Sequence, residues 1–330
     1  MNQLSPSLSS RPVCILPAHP QVSFVIPAFN EEENIARALQ SVNCEAQQLV
    51  ASYEIILVDD GSSDATFARA RTCCVGMPLR IIRLSRNFGK EQALMAGLVA
   101  AKGEAVITID ADRQEPLSAL KKMLDYWRNG YDMAYAVRAH RRDESAAKRM
   151  LTSAFYKALN FGNDTPIPVD ARDFRLMDRK VVDTICSLKE RNRFMKGLYG
   201  WVGFKSVAIP VELREREEGS SKFGFAGLFQ LALTGLTSFT AWPLRLWTGI
   251  GSVVALASLT YGFYLTARTI AFGADLPGWS TLAVGMFLLS GVQLISIGVL
   301  GEYVARIFTE VKGRPGFIVD YEYNAEVSQK

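Results

Sequence analysis

The sequence predicts an α/β domain built on a mostly parallel sheet, followed by a membrane-associated C-terminal part. Three observations predict it. From Gln21 to about Ala139, short apolar runs rich in β-branched residues alternate with stretches of helical period. The strand-like runs end in polar or acidic residues. Beyond Lys222 charge nearly disappears, with only Arg245, Arg268 and Asp275 charged before Glu302. Alternating βα units need helical crossovers, so they imply parallel strands covered on both faces.

The elements follow in order. "VSFVIPAF" (22–29) is the first strand and "EEENIARALQSV" (31–42) its helix. "YEIILVDD" (53–60) leads into "SDATFARARTCC" (63–74), and "LRIIRLS" (79–85) into "GKEQALMAGLVAAKG" (89–103). "EAVITIDAD" (104–112) precedes "PLSALKKMLDYWRNG" (116–130), and "YDMAYAVRA" (131–139) is a fifth strand. Ligands of such sheets sit outside the carboxyl ends of the strands. Pro27–Glu31, Asp59–Asp60, Asp110–Gln114 and Arg138 each lie at such an end, so four polar clusters converge on one crevice.

Within "ITIDADRQEP" (107–116), Asp110 and Asp112 stand one residue apart where a strand meets its loop. Two anions side by side are unfavourable unless a cation or donors neutralise them. A solvated turn is the plain alternative, since Asp is common there. Convergence with the other clusters favours a site. Two carboxylates with Gln114 suit a hard cation, Mg²⁺ or Mn²⁺, that bridges to diphosphate oxygens.

Other classes find little support. A net charge of +4, without a basic stripe carrying aromatics, does not point to nucleic acid. The five cysteines form no CxxC pair and the two histidines lie far apart, which argues against a zinc site and fits reduced thiols. No GxGxxG follows the first strand, and "GKEQ" lacks the upstream glycine and the Ser/Thr of a phosphate-binding loop.

Leu246–Ala267 and Leu276–Gly301 are free of charge, and each is long enough to cross ~30 Å of hydrocarbon as a helix. Trp242 and Trp247 mark one side, and Tyr261, Tyr264 and Trp279 the other, as interfacial anchors. Arg245, Arg306, Lys312 and Arg314 flank the pair and place both termini in the cytoplasm. The segment before them is also apolar, but Gly227, Gln230, Thr234 and Thr237 face away from Phe225, Leu228, Phe229, Ala232, Leu236 and Phe239. A helix lying in the headgroup plane needs that polar stripe, whereas a spanning helix does not. The expected division is a mobile tail over 1–20, without the apolar core of a signal peptide, and a soluble domain over 21–222. An interfacial segment over 223–245, two spans over 246–305 and a cytoplasmic tail over 306–330 complete it.

Seven segments then carry a resemblance: "VIPAFNEEENI", "EIILVDDGSSDAT", "NFGKEQALMAGLVAAKG", "IDADRQEP", "DARDFRLMDR", "RFMKGLYGWVGF" and "REEGSSKF". In this order they resemble the inverting family 2 glycosyltransferases that act on polyprenyl phosphate, from about Val22 to Arg306. The family includes dolichyl-phosphate mannosyltransferase and, closer, bactoprenol (undecaprenyl-phosphate) glucosyltransferases. The resemblance implies a Rossmann-like fold of GT-A type and a metal-dependent enzyme. It implies that Pro27, Phe29, Glu31 and Asp60, with Asp110 and Ala111, hold the nucleotide sugar, and that Asp110, Asp112 and Gln114 hold the metal. Arg216 and Lys222 match a flexible "RxxGxSK" segment closing over the diphosphate, and Arg138, with Arg141, matches the acceptor-phosphate site.

Asp170 and Asp173 are the candidates for a catalytic base, or else they pair with Arg172 or Arg175 and shape their loop. Arg191, Arg193 and Lys196 meet lipid headgroups or form a solvated face. Arg113 and Phe223 depart from the family's usual Leu and Tyr, which weakens any donor assignment. The implied reaction is transfer of a hexose, UDP-glucose being favoured over GDP-mannose, to undecaprenyl phosphate at the cytoplasmic face of a bacterial inner membrane. A tetramer is implied by the family alone. A processive polysaccharide synthase would need a QxxRW string, which is absent, and a decayed scaffold would have lost the Asp pair or Lys222.

Overall fold

The structure, a computed structural model, describes residues 19–73, 76–112, 114–139, 171–190, 193–212, 242–272 and 278–324. They belong to two compact units: a sheet domain that includes the chain from Arg314 onward, and a helical unit within Phe223–Gly313. Asp170, Arg141, Arg142, Arg191, Arg216, Lys222 and residues 223–241 of the expected interfacial segment lie outside the described residues.

The sheet domain opens with β1 (Val22–Ala28), α1 (Ile35–Leu49), β2 (Tyr53–Asp59) and α2 (Thr66–Cys73). It continues with β3 (Leu79–Leu84), α3 (Lys90–Ala100), β4 (Ala105–Thr108), α4 (Ala119–Arg128) and β5 (Met133–Arg138). Every residue of β1, β2 and β4 is buried, as continuous apolar runs between two helical layers should be. The five expected strands are all present, and β1, β2, β3 and β4 run parallel.

Three more strands were not expected. β6 (Ala171–Asp178) inserts antiparallel between β4 and β5. After α5 (Arg179–Ser187) and α6 (Met195–Trp201), β7 (Ser206–Val211) joins the outer side of β5. β8 (Val319–Asn324) pairs antiparallel with β3, so the sheet order is β7-β5-β6-β4-β1-β2-β3-β8. The order reverses between β1 and β4, and the crevice at such a switch point is where open α/β sheets bind ligands. Because β6 is antiparallel to both neighbours, its first residues reach the edge where β4 and β5 end.

The helical unit contains α7 (Trp242–Phe272) and α8 (Trp279–Val311). Pro243 is accommodated because it stands in the first turn of α7, where its missing N–H costs nothing. Residues 242–245, assigned to the interfacial segment from the sequence, are thus the start of α7. Apolar side chains such as Val253, Leu256, Phe263, Ile270, Leu294 and Ile297 are exposed. Among the described residues, Leu289–Val311 is long and apolar enough to cross a membrane. The expected tail over 306–330 is instead the end of α8 followed by β8.

Candidate active site

Two loops build the nucleotide side of the crevice. Asn30 adopts a left-handed φ of 54° and accepts from the Ser63 amide (3.0 Å), while its own amide donates to Ser62 Oγ (3.0 Å). The Glu31 amide donates to Thr66 Oγ1 (2.8 Å), and the Ala65 amide to Glu32 Oε2 (3.0 Å). These crossed bonds zip the loop after β1 to the loop after β2. Asn has the short polar side chain that tolerates this backbone and bonds locally. Pro27 stays buried in β1, Phe29 is 37% exposed at its end, and Glu31 is half-buried with Oε2 accepting from Asn34 Nδ2 (3.0 Å).

Asp60 has a supporting position. Its two carboxylate oxygens accept from the amides of Phe88 (2.8 Å) and Gly89 (2.9 Å). Burial raises its pKa, although the two amides pull it back. Those bonds shape the turn into α3, where Gly89 takes a φ of 96° that a side chain would resist.

α3 then delivers Lys90 and Glu91 to the crevice. Lys90 Nζ lies 2.7 Å from Asp110 Oδ1, 2.8 Å from Asp110 Oδ2 and 2.7 Å from Asp173 Oδ2. Burial works against the ammonium, but the two carboxylates outweigh it and raise its pKa. On Asp173 burial pushes upward, and the opposing pull of Lys90 and then Lys196 holds the carboxyl down at about 2. Its Oδ1 is buried without a hydrogen-bond partner. Thr108 Oγ1 donates to the Asp173 carbonyl and fixes its backbone. Behind it the buried Arg175 stacks 3.5 Å over the Tyr199 ring and donates to the Arg172 carbonyl (2.7 Å), so Arg175 does not pair directly with Asp173.

Beyond β4, the carboxylates of Asp110, Asp112 and Glu115 each offer an oxygen within 4.8 Å of the others. Glu115 is 4% exposed and its Oε2 has no partner. Burial, then Asp110 and Asp112, push its carboxyl up to about 8. Burial likewise raises Asp110, with Asp173 and Asp112 adding to the rise and Lys90 opposing it. Three crowded acids with an orphaned buried oxygen fit a divalent cation, which would reverse that destabilisation. Gln114, expected as the third ligand, stands beside them with Oε1 accepting from Arg172 (3.4 Å). Ala111 is buried in the same loop. Arg138 ends β5 half-buried at the same edge of the sheet.

Lys90, Glu91 and Glu115 were missed in the sequence. In the sequence "GKEQ" lacks the pattern of a phosphate-binding loop and carries part of the family resemblance, yet it also follows a strand end like the four recognised clusters. Arg193 also reads differently. Its guanidinium donates to the carbonyls of Ile185 (3.2 Å), Leu188 (2.5 Å) and Glu190 (2.8 Å), so it staples a loop instead of reaching headgroups.

A switch-point crevice with an acidic cluster beyond the fourth strand is the arrangement a glycosyltransferase of the GT-A type needs for a nucleotide sugar and its cation. The comparisons agree: residues 23–186 match glycosyl transferase family 2, and residues 242–307 match the GtrB C-terminal hairpin. An uncharacterized glycosyltransferase of Synechocystis is 44% identical over 300 residues, 91% of this chain and 94% of that one. The bactoprenol glucosyl transferase of Shigella phage SfII is 44% identical over 301 residues, 91% and 97% of the two chains. A prophage bactoprenol glucosyl transferase homolog of Escherichia coli is 42% identical over 301 residues, 91% and 98%. Among solved structures, the mannosyltransferase PcManGT of Pyrobaculum calidifontis, in complex with GDP-Man and Mn²⁺, is 18% identical with a TM-score of 0.44, covering 93% and 92%. The chain belongs to glycosyl transferase family 2, in the group that carries the GtrB C-terminal hairpin, and it is an enzyme.

Proposed function

We propose that the enzyme transfers a hexose from a nucleotide sugar to undecaprenyl phosphate, with UDP-glucose the favoured donor. The observation that carries this reading is the cluster of Asp110, Asp112 and Glu115 at the same sheet edge as Arg138. The bactoprenol glucosyl transferases that share 42–44% of their residues with it supply the acceptor and the sugar. Asp110 and Asp112, with Gln114 or Glu115, would hold a divalent cation, Mg²⁺ or Mn²⁺, which when bound would offset the charge that develops on the leaving diphosphate.

Pro27, Phe29, Glu31 and Ala111 line the nucleotide side in this reading, and Asp60 shapes it through the Phe88–Gly89 amides. Arg216 and Lys222 close over the diphosphate. Arg138, with Arg141, draws the acceptor phosphate close and in line. That phosphate is already an anion, so it needs no strong base. A carboxyl held at about 2, as in Asp173, is a poor proton acceptor and a permanent anion, which makes it a positioning group. α7 and α8 both span the inner membrane, with the catalytic domain in the cytoplasm.

The test is to incubate the purified enzyme and undecaprenyl phosphate with radiolabelled UDP-glucose, UDP-galactose, UDP-N-acetylglucosamine and GDP-mannose in turn. Label should enter the organic phase from UDP-glucose. No lipid product from any donor rejects the reading, and product from GDP-mannose alone replaces the sugar. Asp112→Asn, nearly the same shape, should lose at least about tenfold in turnover while its melting temperature changes little. Full activity of that variant in excess chelator would refute the metal assignment.

A further inference from the structure

Lys90 does more than balance charge. Its three ammonium hydrogens are matched by three carboxylate oxygens, two from Asp110 and one from Asp173. Those carboxylates come from neighbouring antiparallel chain segments, since Thr108 faces Arg175 across the β4–β6 ladder. Without a cation between them they would repel. The lysine that separates them is also held at its root. Gly89 before it is bonded to Asp60 (2.9 Å), and Glu91 after it accepts from the Met195 amide (3.1 Å). The ammonium is therefore delivered by an anchored helix start.

We propose that Lys90 is a positioning residue for sugar transfer, fixing Asp110 on the metal side against Asp173 of β6 and limiting how tightly the acidic cluster holds a divalent cation. The proposal rests on reading Asp110 as a metal ligand. It has a signed consequence. The ammonium faces both oxygens of Asp110, so removing its charge strengthens cation binding even as it loosens the geometry that transfer requires. A residue that only stabilised the fold would not separate the two effects.

The experiment compares the full-length wild type with Lys90→Met, Lys90→Arg, Asp173→Asn and the Lys90→Met/Asp173→Asn double variant. Mn²⁺ binding is read by electron paramagnetic resonance without substrates, and sugar transfer by steady-state kinetics. Lys90→Met should bind Mn²⁺ about three- to tenfold more tightly, yet turn over at least about tenfold more slowly, with the nucleotide-sugar KM changed less than about threefold. Lys90→Arg should return Mn²⁺ affinity toward the wild type. The double variant should be no slower than Lys90→Met, because the two groups act as one unit. Should Lys90→Met fail to fold, Lys90→Gln takes its place, and Asp173→Asn gives a second reading. It leaves the ammonium to Asp110 alone and should weaken Mn²⁺ binding about threefold or more.

Unchanged Mn²⁺ affinity in the Lys90→Met and Asp173→Asn variants, additive losses in the double, or a wild type that binds no Mn²⁺ each overturn the proposal. A wild type that binds Mn²⁺ but makes no lipid-linked sugar sinks the proposed reaction instead, and the Mn²⁺ comparison still decides the role of Lys90.

Discussion

Glu91 stands beside Lys90 with the Met195 amide on its carboxylate, and burial, then the Asp173 charge, push it up to about 7. Its folded form keeps a proton that the unfolded chain releases near 4.5. The stability it contributes is therefore complete below about 4.5 and is lost as pH rises through 7. Glu91→Gln keeps an acceptor for Met195 and removes the buried charge. Relative to the wild type it should gain on the order of 2 kcal/mol between pH 5 and pH 8. Melting curves at constant ionic strength check this, and parallel pH profiles for the two proteins would reject it. At this scale the sequence was half legible. Asp110 and Asp112 announce themselves because their partners are local. Glu115 and Lys90 do not, because their meaning comes from burial and from Asp173, far along the chain.

α3 shows what an element must satisfy to carry such residues. Ala93, Leu94, Met95, Ala96, Gly97 and Leu98 are all buried, so this helix has only a narrow exposed stripe. A Cβ on Gly97 would meet Val25 Cγ1 at 2.3 Å and Val58 Cγ2 at 3.2 Å. Valine cannot turn away cheaply, since its χ1 is stiff. Gly97→Ala gains about 1 kcal/mol in helix propensity but should lose about 1–3 kcal/mol to overpacking, a net destabilisation in chemical denaturation. Val99→Ala on the same helix, at a residue 60% exposed, should stay within about 0.5 kcal/mol of the wild type. A Gly97→Ala protein as stable as the wild type would show that α3 can shift on the sheet. Helices and parallel strands of this kind were readable from period and run length. β6 was not, because "ARDFRLMD" mixes charge with apolar residues at a strand buried mainly by its neighbours. β8 follows two long helices, and nothing local tells it to rejoin the sheet.

The rejoining of β8 constrains the whole molecule. Arg80 Nε meets Glu322 Oε1 at 2.6 Å, the Ser85 amide donates to Ile318 O (3.0 Å), and Tyr321 packs edge-on against Phe67 at 5.9 Å. A Cβ on Gly316 would strike the Gln92 side chain at 2.3 Å, so the segment approaching β8 lies close against the start of α3. One sheet cannot have strands on both sides of a membrane, because buried backbone groups must be paired within one aqueous domain. Between Glu212 and Val319 the chain must therefore cross an even number of times. If α8 spans, α7 as the second span satisfies that parity, and a third crossing within 213–241 breaks it. The cationic flank of Arg306, Lys312 and Arg314 agrees, since these residues favour the cytoplasmic side, where the proposed function puts the catalytic domain. The prediction is that Asn324→Cys, at the exposed end of β8 and with native cysteines removed, resists an impermeant thiol reagent in intact cells and reacts after lysis. A cysteine introduced at the exposed Glu104 of the catalytic domain should behave identically. Labelling at position 324 with position 104 still protected would mean an odd number of crossings and a C-terminal strand that does not stay on its sheet.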